Sequence, residues 1–131
     1  MSKEMKRNLI GGAGLAALLT LLGALALWPL WSRGADASPV REIVLDARDA
    51  TFGADNPTLR LEPGERVRFV IRNTDPGVLH SITLPGIDDQ VRHVRWGEEI
   101  AFEVTVPETG RFRYVCPQHA PKMQGQIVVT R

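Results

Sequence analysis

The sequence predicts an all-β domain, an antiparallel sandwich or barrel, behind one N-terminal apolar segment. Three observations predict it. Runs after residue 40 alternate apolar and polar residues at the two-residue period of a half-buried strand. Pro-Gly, Asp-Pro-Gly and Thr-Gly signals punctuate those runs. No segment after residue 40 carries a helical period of useful length. The chain has 131 residues, enough for one core of the commonest domain size, roughly 100–150 residues.

The N-terminal segment comes first. Residues 1–8 are basic, with Lys3, Lys6 and Arg7, and are expected in the cytoplasm. Leu9 to Trp31 contains no charged residue and is rich in Leu, Ala and Gly. As a helix rising about 1.5 Å per residue it would reach roughly 34 Å, enough to cross a bilayer core of about 30 Å. Positive charge before such a run keeps the N-terminus inside and sends the following chain across. Trp28 and Trp31 stand near the far end, where interfacial aromatics belong. Two readings stay open: a transmembrane signal anchor, or a signal peptide cut after Ala35-Asp36-Ala37, which has the small-x-small pattern. The run exceeds the about 7–15 residues of a signal-peptide core, which favours the anchor. Residues 32–39 read as a linker. Residues 40–131 read as the exported domain, periplasmic or otherwise extracytoplasmic, tethered or released near Ala37.

Within that domain Val40–Leu45 is the first expected strand. Glu65–Arg72 places Val67, Phe69 and Ile71 on one face and Arg66, Arg68 and Arg72 on the other. Ile100–Val106 repeats the pattern with Ile100, Phe102, Val104 and Val106. Arg111–Val115 and Gln126–Thr130 are further strands, and His80 is expected to begin another after the Asp75-Pro76-Gly77 turn. Net charge is +1, which implies neither a nucleic-acid surface nor an acidic tail, and makes long-range steering of a partner weak.

Cys116, His119 and Met123 lie in the run Tyr114-Val-Cys-Pro-Gln-His-Ala-Pro-Lys-Met123, with His80 upstream. A thiolate, two imidazoles and a thioether are the donor set of a mononuclear blue-copper site. Cys116 is the chain's only cysteine, so no internal disulfide accounts for it. The triplet follows an expected strand, and Pro117 and Pro121 bar a regular helix there. A loop pinned by strands at both ends can converge three side chains on one point, and strand ends distant in sequence meet at one end of a sandwich. Thiolate and thioether suit Cu(I), while imidazole suits both copper states. His93, in Val91-Arg-His-Val-Arg95, has no ligand-type neighbour and is read as a non-ligand.

The segment resembles the copper-binding loop of the cupredoxin family, the group of plastocyanin, amicyanin and pseudoazurin. The resemblance covers roughly residues 40–131 and is strongest at Leu79-His80-Ser81-Ile82 and from Tyr114 to Val129. It implies a Greek-key β-sandwich, one copper ion, and single-electron transfer between redox protein partners by a monomer. It further implies equatorial ligands His80, Cys116 and His119, an axial Met123, and electron exit at the exposed edge of His119. Two departures stand out. Many members have Asn after the first ligand His, tying the two ligand loops together; here the residue is the shorter Ser81. The His119–Met123 spacing also falls between those of the common subfamilies. The His-Ser pair is also similar to cytochrome oxidase subunit II, whose dinuclear copper centre needs two cysteines; this chain has one.

No acid–base pair or second metal motif is visible, so no enzymatic activity is expected. Pro85, Gly86, Pro117, Ala120 and Pro121 are expected to form an apolar docking patch around His119. The rival readings are copper storage or delivery, and an accessory copper domain of a membrane oxidase or reductase complex. Storage proteins tend toward methionine-rich ligand sets; this chain has three methionines, and Met1 and Met5 precede the domain. Zinc is the rival metal, though Met is an unusual zinc ligand.

Overall fold

The computed structural model describes residues 39–131. The expected basic segment 1–8, the apolar segment 9–31 and all of the 32–39 linker but its last residue therefore lie outside the described residues. Nine strands and no helix occur among those described. They are β1 (Arg41–Arg48), β2 (Thr51–Phe52), β3 (Leu59–Leu61), β4 (Arg66–Asn73), β5 (His80–Leu84), β6 (Asp88–Val94), β7 (Glu99–Thr105), β8 (Gly110–Val115) and β9 (Gln124–Val129). Two sheets form, one ordered β2-β1-β4-β7 and the other β3-β9-β8-β5-β6.

The sandwich is not antiparallel throughout, as the sequence reading expected. β1 runs parallel to β4, and β3 parallel to β9. The physical reason lies in residues 49–65. That stretch places β2 in one sheet and β3 in the other, and is long enough to bring the chain back to the end where β1 began.

The four-stranded sheet follows its sequence pattern. In β4, Val67, Phe69 and Ile71 are buried, while Arg68 and Arg72 point to solvent. The registers Ile43↔Phe69 and Phe69↔Phe102 stack apolar side chains across three strands, and the Phe69 and Phe102 rings lie parallel at 5.6 Å. The outer face carries cross-strand ion pairs: Arg66–Glu103 at 3.0 Å, Arg72–Glu99 at 2.7 Å and Arg68–Glu42 at 3.6 Å.

The five-stranded sheet is less regular. All five residues of β5 are buried, because β8 and β6 flank it and both its faces are covered. β6 is an edge strand with Val94 as its buried residue, and its Asp, Gln and Arg side chains gave no apolar period to detect. The core joins the sheets through Tyr114, whose ring meets Phe52 edge to face at 5.5 Å. Its hydroxyl donates to the Pro57 carbonyl at 2.6 Å, and burial pushes its pKa up to about 12. Gly125 faces Tyr114 in the β8–β9 ladder, and a Cβ at Gly125 would lie 2.1 Å from the phenol oxygen. Only glycine fits beneath that ring.

Candidate metal centre

Antiparallel pairing explains how His80 meets residues far along the chain. Thr83 pairs with Val115, so the start of β5 and the end of β8 lie at the same end of the sheet. His80 opens β5, Cys116 follows β8 directly, and Met123 directly precedes β9. The loop from Cys116 to Met123 closes on itself: the Cys116 N–H donates to the Met123 carbonyl at 2.9 Å. Inside it the His119 N–H donates to the Cys116 carbonyl, and the Met123 N–H to the His119 carbonyl, both at 3.1 Å. These bonds turn the loop back on itself, with the Cys116 and Met123 side chains in the core and His119 half-buried between them.

One nitrogen of each of His80 and His119 and the sulfur of Cys116 all lie within 4.8 Å of one another. Cys116 Sγ and His119 Nδ1 are 3.4 Å apart, and the two imidazole rings are 4.9 Å apart, centre to centre. His80, Cys116 and Met123 are fully buried, while His119 is half-buried. His80 Nε2 lies 2.9 Å from Asp75 Oδ2, and this hydrogen bond holds the Asp75 carboxyl below its ordinary pKa. Among the described residues, His80 Nδ1 is the buried side-chain nitrogen or oxygen left without a partner. A buried orphan of that kind calls for an explanation, and a metal ion gives one. The donor set of two imidazoles, a thiolate and a nearby thioether fits copper.

The surroundings of the cysteine sulfur answer the Ser81 question. The Ser81 N–H points at Cys116 Sγ over 3.5 Å. The Ser81 hydroxyl donates to the Gln118 side-chain oxygen, which itself lies 3.4 Å from Cys116 Sγ. Gln118 thus reaches across to the short Ser81 and links the two ligand segments. His93 stays outside the triad, exposed, with its Nδ1 3.5 Å from Gln118 Nε2.

Three residues near the site escaped the sequence reading. Asp75 was seen only as a turn residue; a carboxylate in the turn feeding a candidate ligand was the available signal. Gln118 occupies an unconstrained position between Cys116 and His119, and nothing in the spacing marks it. Asn73 ends β4 buried, with its Nδ2 donating to the carbonyls of Val78 at 2.8 Å and Val94 at 2.9 Å. A polar residue closing an apolar strand just before a turn was its signal.

The expected apolar patch needs correction. Pro117, Ala120 and Pro121 are exposed in the His119 loop. Pro85 and Gly86 are not part of that surface: they follow the end of β5 opposite His80, and a Cβ at Gly86 would meet Phe112. β5 carries the chain from His80 to the opposite end of the sheet before Pro85 and Gly86 are reached. At the His80 end the exposed apolar side chains are Leu79 and Trp96, 45% and 61% accessible, which line one cavity with Gly77, Val78 and Arg95.

The sequence profile of the cupredoxin-like domain matches residues 19–129. Solved structures share the fold. Auracyanin A, a "blue" copper protein from Chloroflexus aurantiacus, is 20% identical over 70% of this chain and all of its own, with a TM-score of 0.60. The auracyanin of Roseiflexus castenholzii is 15% identical over 69% of this chain and 97% of its own, at 0.59. A copper-containing nitrite reductase from Thermus scotoductus is 24% identical over 70% of this chain at 0.58, and this chain covers 28% of that protein. At such identities the likeness speaks to fold alone. No curated protein matches the chain significantly.

Proposed function

The chain belongs to the cupredoxin-like family, and on that premise we propose that it is a mononuclear copper protein passing single electrons between redox partners outside the cytoplasm. His80, Cys116 and His119 would hold the copper ion, with the Met123 thioether as a fourth, weaker donor. The observation that carries this reading is the orphaned Nδ1 of fully buried His80 beside Cys116 and His119.

Bound copper supplies the one-electron Cu(I)/Cu(II) couple. The protein's part is to hold soft and borderline donors where neither oxidation state can rearrange them. The backbone hydrogen bonds within Cys116–Met123 and the pinned start of β5 do this. Burial of Cys116 and His80 keeps water from the sulfur, while half-buried His119 offers the shortest route to solvent. Leu79, Trp96, Pro117, Ala120 and Pro121 form the docking surface, small and apolar enough for a brief redox encounter. The apolar segment 9–31 tethers the domain to the outer side of the cytoplasmic membrane.

A carrier fits better than an enzyme, since the chain has only three histidines and two of them lie in this group. Full burial of Cys116 and His80 also argues against delivery, which needs ligands a recipient can reach. The test is absorption and EPR of the Cu(II)-loaded protein beside Cys116→Ala. An intense thiolate-to-copper charge-transfer band, absent in the variant, is expected. A colourless protein, or weak bands unchanged by the substitution, refutes the reading.

A further inference from the structure

The loop that delivers His80 carries a carboxylate that ligand geometry alone does not require. We propose that Asp75 is a positioning residue for the copper centre: it fixes His80 as the tautomer with the proton on Nε2 and a bare Nδ1, and its negative charge favours Cu(II) over Cu(I). The proposal rests on the copper reading above.

Hydrogen-bond chemistry fixes which nitrogen carries the proton. An ionised carboxylate only accepts, so at 2.9 Å from Asp75 Oδ2 the Nε2 of His80 must be the donor. In a neutral imidazole the other nitrogen is then the bare one. Nδ1 is that atom, and it is the buried one without a protein partner. With the ring fully buried, no water competes for the assignment.

Asp75 is itself aimed. Its Oδ2 also accepts from the Asp49 N–H at 3.2 Å, and its own N–H donates to Asn73 Oδ1 at 2.9 Å. Asn73 is buried and holds the far side of the loop through Val78 and Val94. The Thr74 N–H bonds the Ala47 carbonyl at 3.1 Å, so the turn is fixed to β1 as well. A merely solvated surface carboxylate would need none of this. The Asp75 side chain is 16% accessible, so its charge is partly shielded from water and acts on the ring more strongly than a free surface charge.

A carboxylate behind a ligating imidazole fixes ring orientation and raises the basicity of the ligand atom. A negative charge there also stabilises the more positive metal state. His119 shows the contrast: among the described residues no carboxylate bonds its ring, and its Nδ1 neighbours the Cys116 sulfur. The two imidazoles are therefore unequal, one backed by charge and one open toward solvent.

Two readouts test this. In the metal-free protein, ¹⁵N NMR of the imidazoles should show the His80 proton on Nε2 in the wild type, with that preference lost in Asp75→Ala. A wild-type proton on Nδ1 overturns the tautomer assignment. In the copper-loaded protein, Asp75→Asn keeps an acceptor and the turn but removes the charge. Cu(II) affinity should fall about 10–100-fold with Cu(I) affinity less affected, so the reduction potential rises by up to about 59 mV per tenfold loss. Asp75→Glu, which restores charge on a longer arm, should return the potential toward the wild-type value. A blue band retained in Asp75→Asn at an unchanged potential overturns the charge role and leaves Asp75 as a turn residue. Absence of the band from the wild type would instead overturn the copper reading, while the NMR result would still decide the tautomer.

Discussion

The β2-β1-β4-β7 sheet keeps an in–out alternation broken in β4 by buried Val70 and contributes no candidate ligand, whereas the β3-β9-β8-β5-β6 sheet loses alternation near the site and carries them all. In the first sheet each residue answers to one demand, core or solvent, and Arg and Glu face each other along the outside. In the second, β5 is covered on both faces, Gly125 yields its space to Tyr114, and the turn after β8 folds inward. The comparison teaches that regularity marks where packing alone decides the residue. Irregularity marks where packing shares the decision with a ligand.

Substitutions can break or sharpen this contrast. The largest effect on stability belongs to the regular sheet. Phe69→Ala empties a fully buried site stacked on Phe102 and should cost about 3–5 kcal/mol. Chemical denaturation of the metal-free protein measures this, and the copper band of the folded variant should stay where it is. A shifted band would show that the two sheets are not separable. Gly125→Ala comes next. The ring above it is held by the Pro57 carbonyl, so strain of about 1–3 kcal/mol is expected. Here the copper band should move as well, because Gly125 lies two residues beyond Met123. An unmoved band would detach β9 from the site. The smallest effect is expected for Glu103→Gln, which weakens the exposed pair with Arg66 by no more than about 1 kcal/mol and leaves the site untouched.

What was legible in the sequence follows the same division. β1, β4 and β7 could be read from alternation, since Ile43, Leu45, Val67, Phe69 and Ile71 sit in a clean two-residue period and are buried as that period requires. β6 could not be, because an edge strand of Asp, Gln, Arg and His carries no apolar rhythm. β2 and β3 span two and three residues, too short for any period. The parallel pairings were missed because short strands with frequent turns suggest hairpins, and the crossover through 49–65 leaves no local mark. The convergence of His80, Cys116 and His119 was legible because their donor types are rare together. The partners that aim them were not. Asp75 gains its role from the turn that folds it back onto His80 five residues on, and Gln118 gains its own only once β5 and β8 lie side by side.

The ring closed by the Cys116 N–H and the Met123 carbonyl separates the loop from the strands that carry it. Val115 and Gln124 pair directly below it, so the ladder is complete before the loop begins. A change of length between His119 and Met123 would fall on the Met123 N–H to His119 carbonyl bond rather than on the pairing of Val115 with Gln124. Exchanging the stretch whole, like a cassette, would retune the metal while β8 and β9 keep their grip on each other.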